Sequence, residues 1–203
     1  TYSPERYQVS AQFVQRVLSY CLGVGQINLL GHRSRPWLQI VRPETEKVYL
    51  NHQLKQMRLA HAGPLEYVWD VLPTDGFYDK KRLRVRSDEL HRAYELMYPR
   101  DKKIITPQVM SICGIYGLTA LWSDRGRVVG RLGKIRTRLS TEDNHVIANW
   151  CNDNGFSCSL ISREDKCFGI QFDRDSTQNL IASIRPHIHK TMRKTFTRVP
   201  AVT

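Results

Sequence analysis

Between residues 12 and 23 apolar side chains recur three and four positions apart, so that Phe13, Val14, Val17, Leu18, Cys21 and Leu22 fall on one side of a helix. Gly23-Val24-Gly25 ends it, glycine being able to stop a helix and allow close backbone approach. The ten polar residues before it, Pro4 among them, predict an extended arm. Two short strands are expected at 26–30 and 37–42, parted by a Gly-His-Arg-Ser-Arg-Pro turn. Residues 44–60 have helix-forming composition, with Val48, Leu50, Leu54, Met57 and Leu59 available for a core, and Gly63-Pro64 closes the segment. Strands at 65–72 and 82–86 flank a Pro-Thr-Asp-Gly turn, and a helix at 88–97 follows.

After a Pro- and Lys-rich connector the same order returns. A helix through 112–122, strands at 127–129 and 134–139, and a helix over 141–154 capped by Ser140 or Thr141 lead to strands at 157–162 and 167–172, a helix at 175–185 and, past Pro186, a short basic tail. Each half reads helix, strand, strand, helix, strand, strand, helix, which is an internal repeat. The organisation predicted is an α+β protein: an arm at 1–11, a first repeat at 12–98, a linker at 99–107, a second repeat at 108–196 and a tail at 197–203, forming one compact unit.

Composition narrows what such a scaffold does. With 203 residues, 41% of them hydrophobic, the chain can bury a core, and general disorder is excluded. Lys and Arg number 31 against 19 Asp and Glu, a formal charge of +12 that points to a polyanionic partner. No apolar run of about 20 residues spans a bilayer, and no secretory leader pattern opens the chain, so nucleic acid is favoured over membrane. Cys21, Cys113, Cys151, Cys158 and Cys167 are an odd set without C-x-x-C spacing and read as reduced core thiols. His187 and His189 read as part of the basic tail, without a third metal ligand.

The charge is patterned. In Arg82-Leu83-Arg84-Val85-Arg86 and in Lys134-Ile135-Arg136-Thr137-Arg138, cations alternate with uncharged residues, so at period two they share one strand face. No acid occurs from Arg125 to Thr141, and Lys80, Lys81, Arg127 and Arg131 extend the two basic stretches. The planar fork of Arg suits phosphate or a guanine edge. These ten residues are the expected nucleic-acid contacts.

Val17-Leu18-Ser19-Tyr20-Cys21-Leu22-Gly23-Val24-Gly25 and Leu118-Thr119-Ala120-Leu121-Trp122-Ser123-Asp124-Arg125-Gly126 resemble the paired motifs of the LAGLIDADG homing endonuclease and intron maturase family. The closer likeness is to its monomeric two-repeat branch with organellar members. Met97-Tyr98-Pro99-Arg100-Asp101-Lys102-Lys103-Ile104-Ile105 is similar to that branch's linker, and Ile184-Arg185-Pro186-His187-Ile188 to its closing motif. The resemblance spans residues 12–196. It implies two pseudo-symmetric αββαββα halves whose motif helices meet at the centre and whose sheets form a saddle for a duplex. It also implies cleavage by divalent metal ions shared between two carboxylates, one before the last glycine of each motif.

Here those positions hold Val24, which cannot ligate, and Arg125, a cation; no Asp or Glu occurs from Arg6 to Pro43, and Asp124 is a vestigial acid one position early. The expectation is therefore a protein that is not an enzyme and holds no metal or cofactor. It would bind structured RNA in preference to DNA in a mitochondrion or chloroplast, as a monomer within a larger complex. Mitochondrial ribosomes, with their RNA and neighbouring proteins, or intron splicing are the expected settings. The alternative is an active homing endonuclease cutting double-stranded DNA.

Overall fold

A computed structural model describes residues 4–29, 35–72, 79–163 and 166–199. The chain divides into two compact units, Thr1–Lys102 and Lys103–Thr203. Residues 31–34 of the turn expected at 31–36, and the whole of the turn expected at 73–76, lie outside the described residues.

The first unit runs α1 (Pro4–Leu22), β1 (Gln26–Asn28), β2 (Trp37–Pro43), a 3-10 turn (Glu44–Glu46), α2 (Lys47–Ala60), β3 (Glu66–Leu72), β4 (Lys80–Arg86) and α3 (Leu90–Met97). The predicted face of α1 is buried throughout, from Phe13 to Leu22. The arm is a correction: α1 already begins at Pro4, where a proline costs no hydrogen bond because the first helical N–H groups have no intrahelical acceptor. The four strands form an antiparallel sheet in the order β1-β2-β4-β3. Leu38, Ile40, Leu83 and Val85 turn inward towards the helices.

On α2 the buried side is Tyr49, Leu50, Gln53, Leu54, Met57 and Ala60. Val48 and Leu59, expected in the core, are exposed because the helix turns them away from β2. Polar Gln53 is buried instead for a reason on β2. Arg42 is only 3% exposed; its Nε donates to Gln53 Oε1 at 2.9 Å and its Nη1 to Glu46 Oε2 at 3.0 Å, with the guanidinium 4.4 Å from the centre of the Tyr49 ring. A buried cation is tolerable only when paired in this way. Arg42→Ala strands Gln53 and should cost about 3 kcal/mol of stability, read as a lower urea midpoint with an unchanged slope.

The second unit runs α4 (Pro107–Arg125), β5 (Gly126–Val129), β6 (Leu132–Arg136), α5 (Thr141–Asp153), β7 (Cys158–Arg163), β8 (Lys166–Phe172), α6 (Arg174–Ile184), a 3-10 helix (Lys190–Phe196) and β9 (Arg198–Val199). Thr106 caps α4 by accepting from Val109 N–H. Gly114, at φ 52° and ψ −141°, interrupts the helical backbone between Cys113 and Ile115, a conformation open to glycine alone. Ser140 caps α5 in a capping box with Asp143, whose Oδ1 also accepts from Ile105 N–H at 2.6 Å and so ties down the incoming connector.

The second sheet is ordered β7-β8-β6-β5-β9, so β5-β6-β8-β7 repeats β1-β2-β4-β3. Both units are therefore αββαββα, as the sequence pattern predicts. The final segment is not a loose tail. Trp122 is fully buried, donates from Nε1 to Thr195 Oγ1 at 3.1 Å and faces the Phe196 ring, and β9 joins the sheet edge parallel to β5. His187 meets the Tyr116 ring edge-on at 4.8 Å, and His189 caps the 3-10 helix. All five cysteines are free; Cys21, Cys113 and Cys151 are buried, while Cys158 and Cys167 are partly exposed. A hydrogen bond from Cys151 holds the Cys158 thiol below its ordinary value, and the same bond, with burial, pushes Cys151 up.

Candidate nucleic-acid interface

Both basic stretches lie on inner strands of their sheets, and the alternation is as expected. In β4, Leu83 and Val85 are buried while Arg82, Arg84 and Arg86 point away from the helices; in β6, Gly133 and Ile135 are buried while Lys134 and Arg136 point out. The strands are not equivalents in the repeat, however, because β4 corresponds to β8 and β6 to β2. Several of the ten predicted residues are placed differently. Lys80 shares the outward parity of β4. Lys81 has the opposite parity, and its Nζ lies 3.3 Å from Glu44 Oε2. Arg131 is exposed in the turn between β5 and β6, and Arg138 is exposed beyond the end of β6.

Register separates the two faces. Across β4 and β3, Arg82 is opposite Asp70, Arg84 opposite Val68 and Arg86 opposite Glu66. Asp70 Oδ2 accepts from Arg82 Nε at 2.9 Å and from the Nη2 atoms of Arg82 and Arg84 at 2.8 Å, and Arg86 lies 3.7 Å from Glu66. On the other flank, Arg84 and Arg86 stand 5.4 and 5.7 Å from the centre of the Trp37 ring. The buried Nε1 of Trp37 and Nε of Arg84 have no protein acceptor. This face thus carries clamped guanidinium groups, bordered by Gln39 opposite Arg84.

The second face is of another kind. Arg127, Lys134, Gln171 and Ser159 stand in one cross-strand row over β5, β6, β8 and β7. In the next row Arg136 is opposite Gly169, which has no side chain to cover it. Among the described residues no carboxylate lies within ion-pair distance of Arg127, Arg131, Lys134, Arg136 or Arg138. Cations held on a rigid sheet without an internal counter-ion are available to an external polyanion. Sequence reasoning missed Trp37, Gln39, Asp70, Gln171 and Ser159. The alternation in β2 and β7 hinted at some of them, but the role of Asp70 depends on cross-strand register.

The motif ends are built by close packing. Gly25 N–H donates to Tyr20 C=O at 2.9 Å, and a Cβ on Gly25 would lie 2.8 Å from that oxygen. A Cβ on Gly126 would lie 2.3 Å from the Trp122 ring. Before these glycines stand Val24, half-buried after α1, and Arg125, half-buried as the last residue of α4; Asp124 precedes it, also half-buried. Among the described residues no cluster of three or more His, Cys, Asp or Glu side chains could hold a metal ion. Val24 and Arg125 do not fit a metal shared between two carboxylates.

Comparisons with protein-family models and with curated proteins give no match. Solved structures do match. The homing endonuclease I-WcaI bound to its DNA recognition sequence superposes with a TM-score of 0.72 at 16% identity, covering 95% of this chain and 87% of that one. I-DmoI in complex with DNA and Ca gives 0.57 at 15% identity, covering 87% and 90%. Full-length DUF199/WhiA from Thermatoga maritima gives 0.54 at 13% identity, covering 96% and 64%. The expectation of a non-enzyme rested on two helix-end side chains, Val24 and Arg125. It is overturned by these likenesses, since I-WcaI and I-DmoI, which share the fold over 95% and 87% of this chain, are homing endonucleases. The chain has the homing-endonuclease fold of the LAGLIDADG type, two αββαββα repeats with a motif helix opening each.

Proposed function

We propose that this protein recognises duplex DNA through the outward faces of its sheets and is a site-specific endonuclease. The observation that carries the reading is the likeness to I-WcaI on its DNA recognition sequence over 95% of the chain. The uncompensated row of Arg127 and Lys134, with Arg136 beside it, supplies the phosphate-seeking charge such a face needs. The clamped Arg84 suits base readout, since Asp70 and Trp37 hold its guanidinium in one place on the outward side of β4. Duplex DNA replaces structured RNA as the ligand, and no residue in the described structure favours a ribosomal or splicing role. The mitochondrial setting stays part of the proposal.

The residues at the motif ends do not fit two-carboxylate metal ligation, so no step through a metal is derived from them. Asp124, in the last turn of α4, is the acid closest to the expected position and the residue to test. A library of randomised duplexes incubated with the full chain and Mg2+ should yield cuts at one sequence, and Asp124→Asn should lower the rate at least about a hundredfold. Sequencing of the ends reads both outcomes. Absence of any cut sequence would defeat the endonuclease reading, while undiminished cutting by Asp124→Asn would remove Asp124 from it.

A further inference from the structure

The repeat contains its own control for a surface that DNA recognition does not use. In the second unit α5 packs across β7 and β8; in the first, α2 packs on β2, and the helix-side face of the edge strand β3 is left open. Tyr67, Trp69 and Val71, which share that face, are 39%, 37% and 49% exposed, and Leu59 on α2 is 69% exposed. Between α2 and β3 lies a groove of about 690 Å³. Leu54, Leu59, Leu65, Tyr67 and Trp69 supply its apolar lining. Its only charged lining residues are Lys55 and Arg58, and neither is ion-paired among the described residues. The Arg58 guanidinium rests 5.9 Å from the centre of the Tyr67 ring.

We infer that this groove docks an acidic, apolar-bearing segment of a partner protein. Exposed edge strands are normally shielded by charge, proline or a covering helix, and an apolar one left open is a ready template for another chain. Here Glu66 and Asp70 of β3 face the other side of the sheet and are occupied by Arg86, Arg82 and Arg84, so nothing on β3 repels an incoming segment. Charge selects the occupant. Two unpaired cations beside an apolar surface complement carboxylates interspersed with apolar side chains. A second copy of this chain would bring the same cations and a net charge of +12. Tyr67 and Trp69 would give a nucleic acid rings to stack on, but the aliphatic groups of Leu59 and Val71, 69% and 49% exposed, are surface that only an apolar side chain covers.

The probe is a fluorescent ten-residue peptide alternating Glu with Val or Leu, titrated against the full chain and followed by anisotropy, with its Lys-for-Glu counterpart as control. Saturable binding of the Glu peptide is expected, with Arg58→Glu and Leu59→Glu each weakening it about tenfold. Both positions are exposed, so the variants keep their fold, and the Lys134→Ala/Arg136→Ala double variant should bind the peptide as the parent does. Affinity for duplex DNA should be unchanged in Leu59→Glu, which separates this surface from the DNA-binding one. Equal binding of both peptides, or weakening by the Lys134 and Arg136 changes in place of Arg58, would overturn the inference. So would competition by a uridine dodecamer that depends on Leu59, or self-association of the chain abolished by Leu59→Glu.

Discussion

Removing Lys134 and Arg136 together, as alanines, is expected to weaken duplex binding and lower the slope of log affinity against log salt by about 1.8, roughly 0.9 for each lost phosphate contact. The single changes Arg136→Ala and Arg84→Ala should not be equivalent. Arg136 is exposed with no carboxylate within ion-pair distance among the described residues, so its charge is free for phosphate. Arg84 is engaged by Asp70 and stacked against Trp37, and much of its charge is answered inside the protein. Its loss should change discrimination between duplex sequences more than the salt slope. Asp70→Asn should act in the opposite direction, releasing Arg82 and Arg84 and steepening the salt dependence on random duplexes. Anisotropy titrations over a salt series check all four variants, and identical slopes for Arg84→Ala and Arg136→Ala would refute the division between the two faces.

Gly126→Ala should be the most damaging small substitution at the motif. The added methyl would meet Trp122 Cδ2 at 2.3 Å and Trp122 C=O at 2.7 Å. Trp122 cannot retreat, being fully buried and held by Thr195. Overpacking of this kind costs about 3 kcal/mol. Gly63→Ala is the matched control, since its Cβ would meet nothing within 4 Å, and it should change stability by less than about 0.5 kcal/mol. Urea unfolding followed by tryptophan fluorescence distinguishes them, and comparable midpoints would show that Gly126 is not there for packing. The glycine that opens β5 is thereby explained by architecture, whatever chemistry Asp124 performs.

Periodicity carried much of the fold because burial repeats with the geometry of each element. The buried side of α1, the inward pair Leu83 and Val85, and the Ser140 cap all follow from local spacing. So does the repeated order of elements in the two units. Spacing also sufficed to place Arg82, Arg84 and Arg86 on one strand face, and the same rule assigns Lys81 to the other. Where several faces compete for one core, local pattern is silent: Leu59 looks like a core residue until α2 is seen to settle on β2, and Gln53 looks like a surface one until Arg42 is found beneath it. The arm and tail were misread for a related reason, since their order comes from tertiary contacts such as Thr195 on Trp122 and β9 on β5.

By itself, then, the sequence determined the duplicated αββαββα pattern, the inward and outward parity of β4 and β6, and a basic surface in both halves, because these depend on neighbours a few positions away. Only the tertiary structure decided that Asp70 answers two arginines of the first face while Arg127, Lys134 and Arg136 of the second keep their charge, and that β3 is left uncovered. Cross-strand register and helix placement are relations between distant segments, set by how the whole core packs, and no local pattern of hydrophobic and polar residues encodes them.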